Sequence, residues 1–282
     1  MKYHVGLLHC SRSWSSLIID NERRADTRVR HIDWIQGWGM CESAYDEIAA
    51  WYDQWAGPAI TEDDPFFPAV EALLGDVAGQ HICDLGCGQG RVARYLAQRG
   101  ASIVGVDLST RLLEIARRHE QAAPQGITYL HADARSLNDI PDRTFDGVLC
   151  FMALMDIADL APTLHTVGRI LRPAGWFVFA TLHPCYHTPR SGEMVSADGW
   201  VRTIGGYFSE GYWRSNTRTG PPGKVGAYHY MLSTYLNTLC EAGLTLEHVS
   251  EPRATVGPAT TRPIWAEVPA VLVARCRKRA LG

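Results

Sequence analysis

Between Ile82 and Asp107 the chain spells out a strand, a glycine-rich turn, a helix and a second strand, an order that few folds accept. The run Ile82-Cys83-Asp84-Leu85 is apolar around one acid, and Gly86-Cys87-Gly88-Gln89-Gly90-Arg91 turns the backbone. Val92 to Gln98 then has helical character, and Ser102-Ile103-Val104-Gly105-Val106-Asp107 is again apolar and ends in an acid. Glycines at alternate positions let the backbone turn tightly and approach a ligand where any β-carbon would collide; the helix beyond them offers unpaired N–H groups. Asp107 stands 23 residues after Asp84, about where an acid accepts hydrogen bonds from ribose hydroxyls in a nucleoside-binding βαβ unit. A dinucleotide fingerprint would place its third glycine at position 91, where this chain has Arg91.

The spacing Gly86-x-Gly88-x-Gly90 preceded by Asp84 resembles the first motif of class I S-adenosylmethionine (SAM) dependent methyltransferases. Further segments at matching separations carry the resemblance: Asp107-Leu108-Ser109, His131-Ala132-Asp133-Ala134 after the run Ile127 to Leu130, Phe145-Asp146-Gly147-Val148-Leu149-Cys150, and Leu171-Arg172-Pro173-Ala174-Gly175. The alternation of apolar runs and helical segments predicts strands near 81–85, 102–107, 127–131, 145–151 and 175–181, with helices near 89–99, 110–120 and 159–171. Short connections of this kind require right-handed crossovers and a parallel sheet. A helix from Tyr228 to Glu241 and strands near 243–249 and 268–275 complete the pattern. The expected fold is α/β: a doubly wound, Rossmann-like, seven-stranded, mostly parallel sheet with a helical N-terminal cap and a lid insertion after strand five.

The chain has 282 residues, enough for one large domain with an insertion. Residues 1–40 read as a flexible N-terminal extension, with a charged, low-hydrophobic run from Arg23 to Arg30 and apolar stretches too short and interrupted for a signal peptide. Residues 41–75 read as the helical cap and 76–282 as the methyltransferase domain, its lid at about 183–227. A net charge of −3 advertises no basic surface for nucleic acid, and no apolar run is long enough to span a bilayer. The eight cysteines lack paired spacing and read as reduced thiols of a cytoplasmic protein. The expected partner is a small-molecule acceptor, with neither nucleic acid nor membrane, and the protein is a monomer or a homodimer.

The resemblance implies a cofactor, SAM, converted to S-adenosylhomocysteine, and a role for each motif. The loop Gly86, Cys87, Gly88, Gly90 passes under the methionine portion and ribose; Asp84 organises the amino group; Asp107 takes the ribose hydroxyls and Leu108 packs on adenine. Asp133 accepts from the adenine amino group beside Ala134, while Cys150 and Phe151 flank the sulfonium. Tyr45 and Tyr52, on a run with bulky residues at 45, 48, 52 and 55, become lid residues of the cap.

His183, leaving strand five, is the candidate general base, since an imidazole can take a proton from a hydroxyl, amine or indole N–H. His183, Cys185 and His187 alternate, yet no fourth ligand is evident and Pro184 interrupts them, so no metal is expected. The insertion is rich in aromatics without apolar periodicity, which marks a lid over the acceptor: Tyr186, Trp200, Tyr207, Tyr212 and Trp213, with His229 beyond it. Asp156 and His229 are weaker candidates for acceptor contacts. The expected reaction is methyl transfer to oxygen or nitrogen of a small aromatic metabolite, of the kind met in secondary metabolism. Carbon methylation of an electron-rich ring such as indole is the nearest alternative; a non-catalytic SAM-binding subunit or an RNA or protein methyltransferase are the others.

Overall fold

The computed structural model describes residues 43–61, 64–197, 199–216, 220–254 and 263–280; the expected extension at 1–40 lies outside them. Cap and sheet belong to one compact unit, 41–282. The strands are β1 (His81–Leu85), β2 (Ser102–Asp107), β3 (Thr128–His131), β4 (Phe145–Phe151), β5 (Leu171–Leu182), β6 (Gly192–Ser196), β7 (Gly199–Thr203), β8 (Gly211–Trp213), β9 (Ala227–His229), β10 (Leu244–Ser250) and β11 (Val271–Lys278). The helices are α1 (Ala49–Ala56), α2 (Phe67–Leu74), α3 (Arg91–Gln98), α4 (Thr110–Ala122), α5 (Leu160–Ile170), α6 (Pro221–Lys224) and α7 (Leu232–Glu241). Single 3₁₀ turns run over Asp46–Ile48, Leu154–Asp156 and Pro263–Ala266.

Seven strands form one sheet in the order β10-β11-β5-β4-β1-β2-β3. β1 pairs in parallel with both β2 and β4, and β11 runs antiparallel to β5 and β10. The strand order therefore reverses between β1 and β4, and a ligand crevice opens at the carboxyl ends of these strands. Each face of the sheet buries its own core. Phe67, Val70, Leu74, Ile82, Leu96 and Leu113 gather in one, and Leu85, Val148, Leu164, Phe177, Phe179 and Leu239 in the other. Burial of each such side chain is worth roughly 1.5–3 kcal/mol, enough to hold the loops at the strand ends to one geometry.

The structure corrects the expected elements in three places. β5 starts at Leu171 rather than 175: pairing with β4 slips between Phe145↔Leu171 and Gly147↔Trp176, and the residues skipped form a bulge with Ala174 at φ 60°. Gly175 is needed there, because a β-carbon would sit 2.9 Å from the Arg172 carbonyl and 3.0 Å from that of Asp146. The expected helix at 228–241 is α7 alone; its first residues, Tyr228 and His229, belong to β9, where burial alternates from Ala227 (buried) through Tyr228 (half-buried) to His229 (buried). The insertion after β5 is two antiparallel hairpins, β6–β7 and β8–β9, with α6 between β8 and β9. The six cysteines among the described residues are free thiols.

Candidate active site

The glycine loop is hung on the end of β2: the N–H groups of Gly86 and Cys87 both donate to the Val106 carbonyl, at 2.8 and 3.0 Å. Gly88 (φ 55°) and Gly90 (φ 80°) take the left-handed region that suits only glycine without strain. A β-carbon on Gly86 would strike Ala153, and one on Gly90 would strike the Tyr129 hydroxyl. On Gly88 its nearest neighbour would be the Tyr52 ring, 3.7 Å away. Gly86 and Gly90 are thus required by packing, and Gly88 marks the open side of the loop.

Asp107 closes this turn. Its Oδ2 accepts from the Gly88 N–H and its Oδ1 from the Ser109 N–H, both at 2.8 Å, which leaves further lone pairs on each oxygen. Asp84 is 1 % exposed, and its Oδ2 has no hydrogen-bond partner among the described residues. Burial, reinforced by the charge of Asp107, pushes its carboxyl up to about 7. Burial likewise raises Asp107 and lifts Asp156 to about 7, against the hydrogen bond from Tyr45. The charge of Asp107 thus adds to burial at both Asp84 and Asp156, so the three carboxyls share one electrostatic environment at the strand ends.

The cap seats on this loop through polar side chains. Arg91 donates to the Ala56 carbonyl and to Asp64 Oδ2, both at 2.7 Å, Gln89 to the Gly57 carbonyl at 2.9 Å, and Arg94 to that of Pro58. Asp46 Oδ1 accepts from the Ser109 hydroxyl and the Arg111 N–H at the start of α4, where a helix N-terminus favours an acid. Tyr45 and Tyr52 stand edge to face, ring centres 5.2 Å apart, and pack with Ala49, Leu112 and Ile115 beside the loop. The position that a dinucleotide binder gives to glycine here serves the cap.

The other expected cofactor residues divide. Leu108 is half-buried and its carbonyl accepts from His131 Nε2 at 3.0 Å. Asp133 lies beyond β3 with Arg135 on both of its oxygens, at 3.0 and 2.9 Å. Burial alone would raise its pKa; Arg135 outweighs that and holds it below the usual carboxylate range. Ala134 packs against the second core. Cys87 and Cys150 turn their thiols into the two cores, so only their backbones remain for a ligand. The Phe151 ring lies edge-on to Phe67 at 5.3 Å with the Arg91 guanidinium 5.7 Å from its centre.

His183 is 3 % exposed, with both ring nitrogens engaged. Nε2 faces Glu251 Oε1 at 2.8 Å, and Nδ1 accepts from the Cys185 N–H at 3.2 Å. No lone pair is left for an acceptor's proton. Among the described residues no group of three or more His, Cys, Asp or Glu converges as metal ligands would.

Beyond β4 and β5 lies a cavity of about 10 Å³, walled by Met155, Leu182, Trp213, Tyr228, Tyr230 and Tyr235 and reached by His187 and His229. That is about the room one water needs. The Leu154–Asp156 turn serves both spaces, since Met155 faces the cavity while Asp156 accepts from the Tyr45 hydroxyl at 2.9 Å. Of the six expected lid residues only Trp213 and His229 line this cavity. Tyr186 is buried in the first core under the Arg202 guanidinium, 4.0 Å from its ring centre, with its hydroxyl donating to Glu193. Trp200 and Tyr212 are largely exposed on their hairpins. Tyr207 contributes its carbonyl to His229 Nε2 at 2.8 Å and its hydroxyl to the Leu232 N–H at 3.1 Å.

The fold and the acid-lined glycine loop together define a nucleoside-binding α/β protein of the class I type. A methyltransferase domain family matches residues 83–179. The crystal structure of an S-adenosylmethionine dependent methyltransferase from Mesorhizobium loti superposes with a TM-score of 0.66 at 36% identity, covering 76% of this chain and 97% of that one. The ubiquinone biosynthesis O-methyltransferase of Alkalilimnicola ehrlichii is 34% identical over 114 residues, 40% of this chain and 46% of that protein. The demethylmenaquinone methyltransferase of Tropheryma whipplei is 30% identical over 139 residues, 45% of this chain and 57% of that protein. The chain spans about half the length of the curated relatives it matches. It belongs to the SAM-dependent methyltransferases, and the unpartnered Asp84 oxygen and the space beside Gly88 leave room and polar groups that suit such a cofactor. Among the described residues no helix is long and apolar enough to cross a membrane.

Proposed function

We propose that this protein transfers the methyl group of SAM to the hydroxyl of a small aromatic acceptor. The observation that carries this reading is the aromatic cavity at the carboxyl ends of β4 and β5, which shares the Leu154–Asp156 turn with the cofactor crevice. When bound, SAM supplies an electrophilic methyl on sulfur. What the chain adds is position and dryness: orientation of two reactants in line is worth roughly 7–11 kcal/mol. In this reading Asp107 holds the ribose hydroxyls, Asp84 the ammonium, and Leu108 and the Asp133–Ala134 segment the adenine, while Tyr45 and Tyr52 close over the methionine end. Trp213, Tyr228 and Tyr230 line that cavity with aromatic rings, which suit a planar acceptor.

Oxygen is favoured over carbon because relatives that match this chain are named O-methyltransferases. In this reading the Trp213 side chain on β8 gives way to admit the acceptor, since the cavity holds about one water. A screen of phenols, indoles and amines with methyl-labelled SAM tests the proposal, with the product's methylated atom assigned by NMR. Labelled phenol ethers are expected. A strict preference for aliphatic acceptors overturns the aromatic-cavity argument, and tight S-adenosylhomocysteine binding without turnover of any acceptor marks a non-catalytic subunit.

A further inference from the structure

His229 is 2 % exposed, sits at the end of β9 and lines the aromatic cavity. Its Nε2 lies 2.8 Å from the Tyr207 carbonyl oxygen. A carbonyl only accepts, so Nε2 carries the hydrogen, and in the neutral ring Nδ1 is left with a lone pair. His229 Nδ1 has no hydrogen-bond partner among the described residues, which makes it the ring nitrogen available to the cavity that the residue lines. Tyr207 is fixed in turn, its hydroxyl accepting from the Leu232 N–H at the start of α7. Glu210 holds the same junction, its Oε1 accepting from the Met231 N–H at 2.7 Å and the Thr234 hydroxyl at 2.6 Å. A histidine whose tautomer and ring plane are set by a backbone carbonyl, with its second nitrogen toward a substrate space, is built as a base. His183 lacks that freedom, because Glu251 and the Cys185 N–H occupy both its nitrogens.

From this geometry we infer that His229 is the general base of the reaction and that the acceptor carries an acidic O–H aimed at its Nδ1. The inference rests on the proposed cavity for an aromatic acceptor. As the acceptor oxygen bonds to the methyl carbon, the carbon–sulfur bond breaks with its electron pair on sulfur, and the O–H proton passes to Nδ1. The positive charge that began on sulfur ends on the imidazolium, held by the carbonyl of Tyr207, and leaves with the proton to solvent. General-base assistance of this kind is worth about 10²–10⁴ in rate.

The test uses 4-nitrophenol, whose phenolate absorbs in the visible, added to the complex of the full chain with S-adenosylhomocysteine at a pH below the probe's own titration. The wild-type complex is expected to bind the probe as phenolate. His229→Gln keeps an N–H for the Tyr207 carbonyl but no base, and is expected to bind the probe as the neutral phenol with S-adenosylhomocysteine affinity changed less than twofold. With a phenol acceptor from the screen, kcat in that variant is expected to fall about 10²–10⁴-fold, and added imidazole to restore part of it in His229→Ala. Equal probe ionisation in wild type and His229→Gln, or no response of His229→Ala to imidazole, overturns the role of His229 while leaving the cavity standing. No probe binding to the wild-type complex overturns the cavity reading and His229's role with it.

Discussion

The Tyr45 hydroxyl donates to Asp156 Oδ2 over 2.9 Å, joining the cap to the turn after β4 across 111 positions of sequence. This bond connects the two halves of the crevice, one wall carried by the cap and the other by the sheet. Among the described residues it is the group that favours the charged form of Asp156, against burial and the charge of Asp107. Tyr45→Phe removes it. The Asp156 carboxyl then rises further above about 7, the crevice holds less negative charge at neutral pH, and the cap loses a fixed point. Calorimetric titration is expected to show S-adenosylhomocysteine affinity about tenfold weaker, roughly 1.4 kcal/mol. Thermal unfolding should show a stability loss near 1 kcal/mol.

The acids themselves set a pH dependence. The carboxyls of Asp84 and Asp156 titrate near 7 in the folded chain and at about 3.9 when unfolded, so the folded state retains protons that the unfolded state has released. Their contribution to stability is fully present below the unfolded value and is lost as pH rises through about 7. The ligand-free protein is expected to lose thermal stability between pH 5 and 8, while affinity for the cationic cofactor grows over the same range. Asp84→Asn flattens the stability slope, melts higher than wild type at pH 8 and no longer binds S-adenosylhomocysteine. A stability profile that rises through this window would contradict the placement of these acids.

Two glycines of one loop are expected to respond differently to the same change. Gly90→Ala drives a methyl into the Tyr129 hydroxyl and strains φ 80°, and Tyr129 is 7 % exposed within the first core. Overpacking costs typically 1–3 kcal/mol, to which the left-handed strain adds about 1–2 kcal/mol, so the variant should be poorly folded. Gly88→Ala incurs only the strain and touches Tyr52 at ordinary contact distance. It should fold, melt slightly lower and bind S-adenosylhomocysteine at least tenfold more weakly. Circular dichroism melts beside calorimetry separate the two effects.

The βαβ unit and its acids were legible because local constraints fix them: an apolar run, a turn that only glycine accepts, and an acid at the end of each strand. Asp84, Gly88 and Asp107 meet as that order requires. What escaped was set by distant contacts. Tyr129 reads as one more apolar strand residue, yet it is the wedge that makes glycine necessary at position 90. Arg91 reads as a departure from a dinucleotide fingerprint, yet it is a tie to Ala56 and Asp64. The aromatics of the insertion share one composition and separate only in three dimensions: Tyr186 enters the core, Trp200 and Tyr212 face solvent, and Trp213 reaches the cavity. Tyr228, Tyr230 and Tyr235, outside the expected lid, complete that wall: Tyr228 from β9, Tyr230 from the residues between β9 and α7, and Tyr235 from α7.

His183 and Glu251 allow a last discrimination. Their 2.8 Å contact resembles the pairing in which a carboxylate orients a catalytic histidine, where removing the carboxylate's charge lowers kcat by about 10⁴. Here the other ring nitrogen already accepts from the Cys185 N–H, and the His183 carbonyl accepts from the N–H groups of Tyr186 and His187 at 2.9 and 2.8 Å. The residue therefore fixes the chain as it leaves β5, beside the cavity. The Glu251 side chain is 55 % exposed, so its charge is screened and its contribution falls within the 0–1 kcal/mol of surface pairs. Glu251→Gln retains a hydrogen-bond acceptor for Nε2 and should leave kcat within twofold and the melting temperature nearly unchanged. His183→Ala opens a void in a buried position and frees the Cys185 N–H, which should cost about 2–3 kcal/mol and raise the KM for the acceptor more than it lowers kcat. Steady-state kinetics on both variants decide the matter: a large kcat loss in Glu251→Gln would restore His183 as a catalytic base.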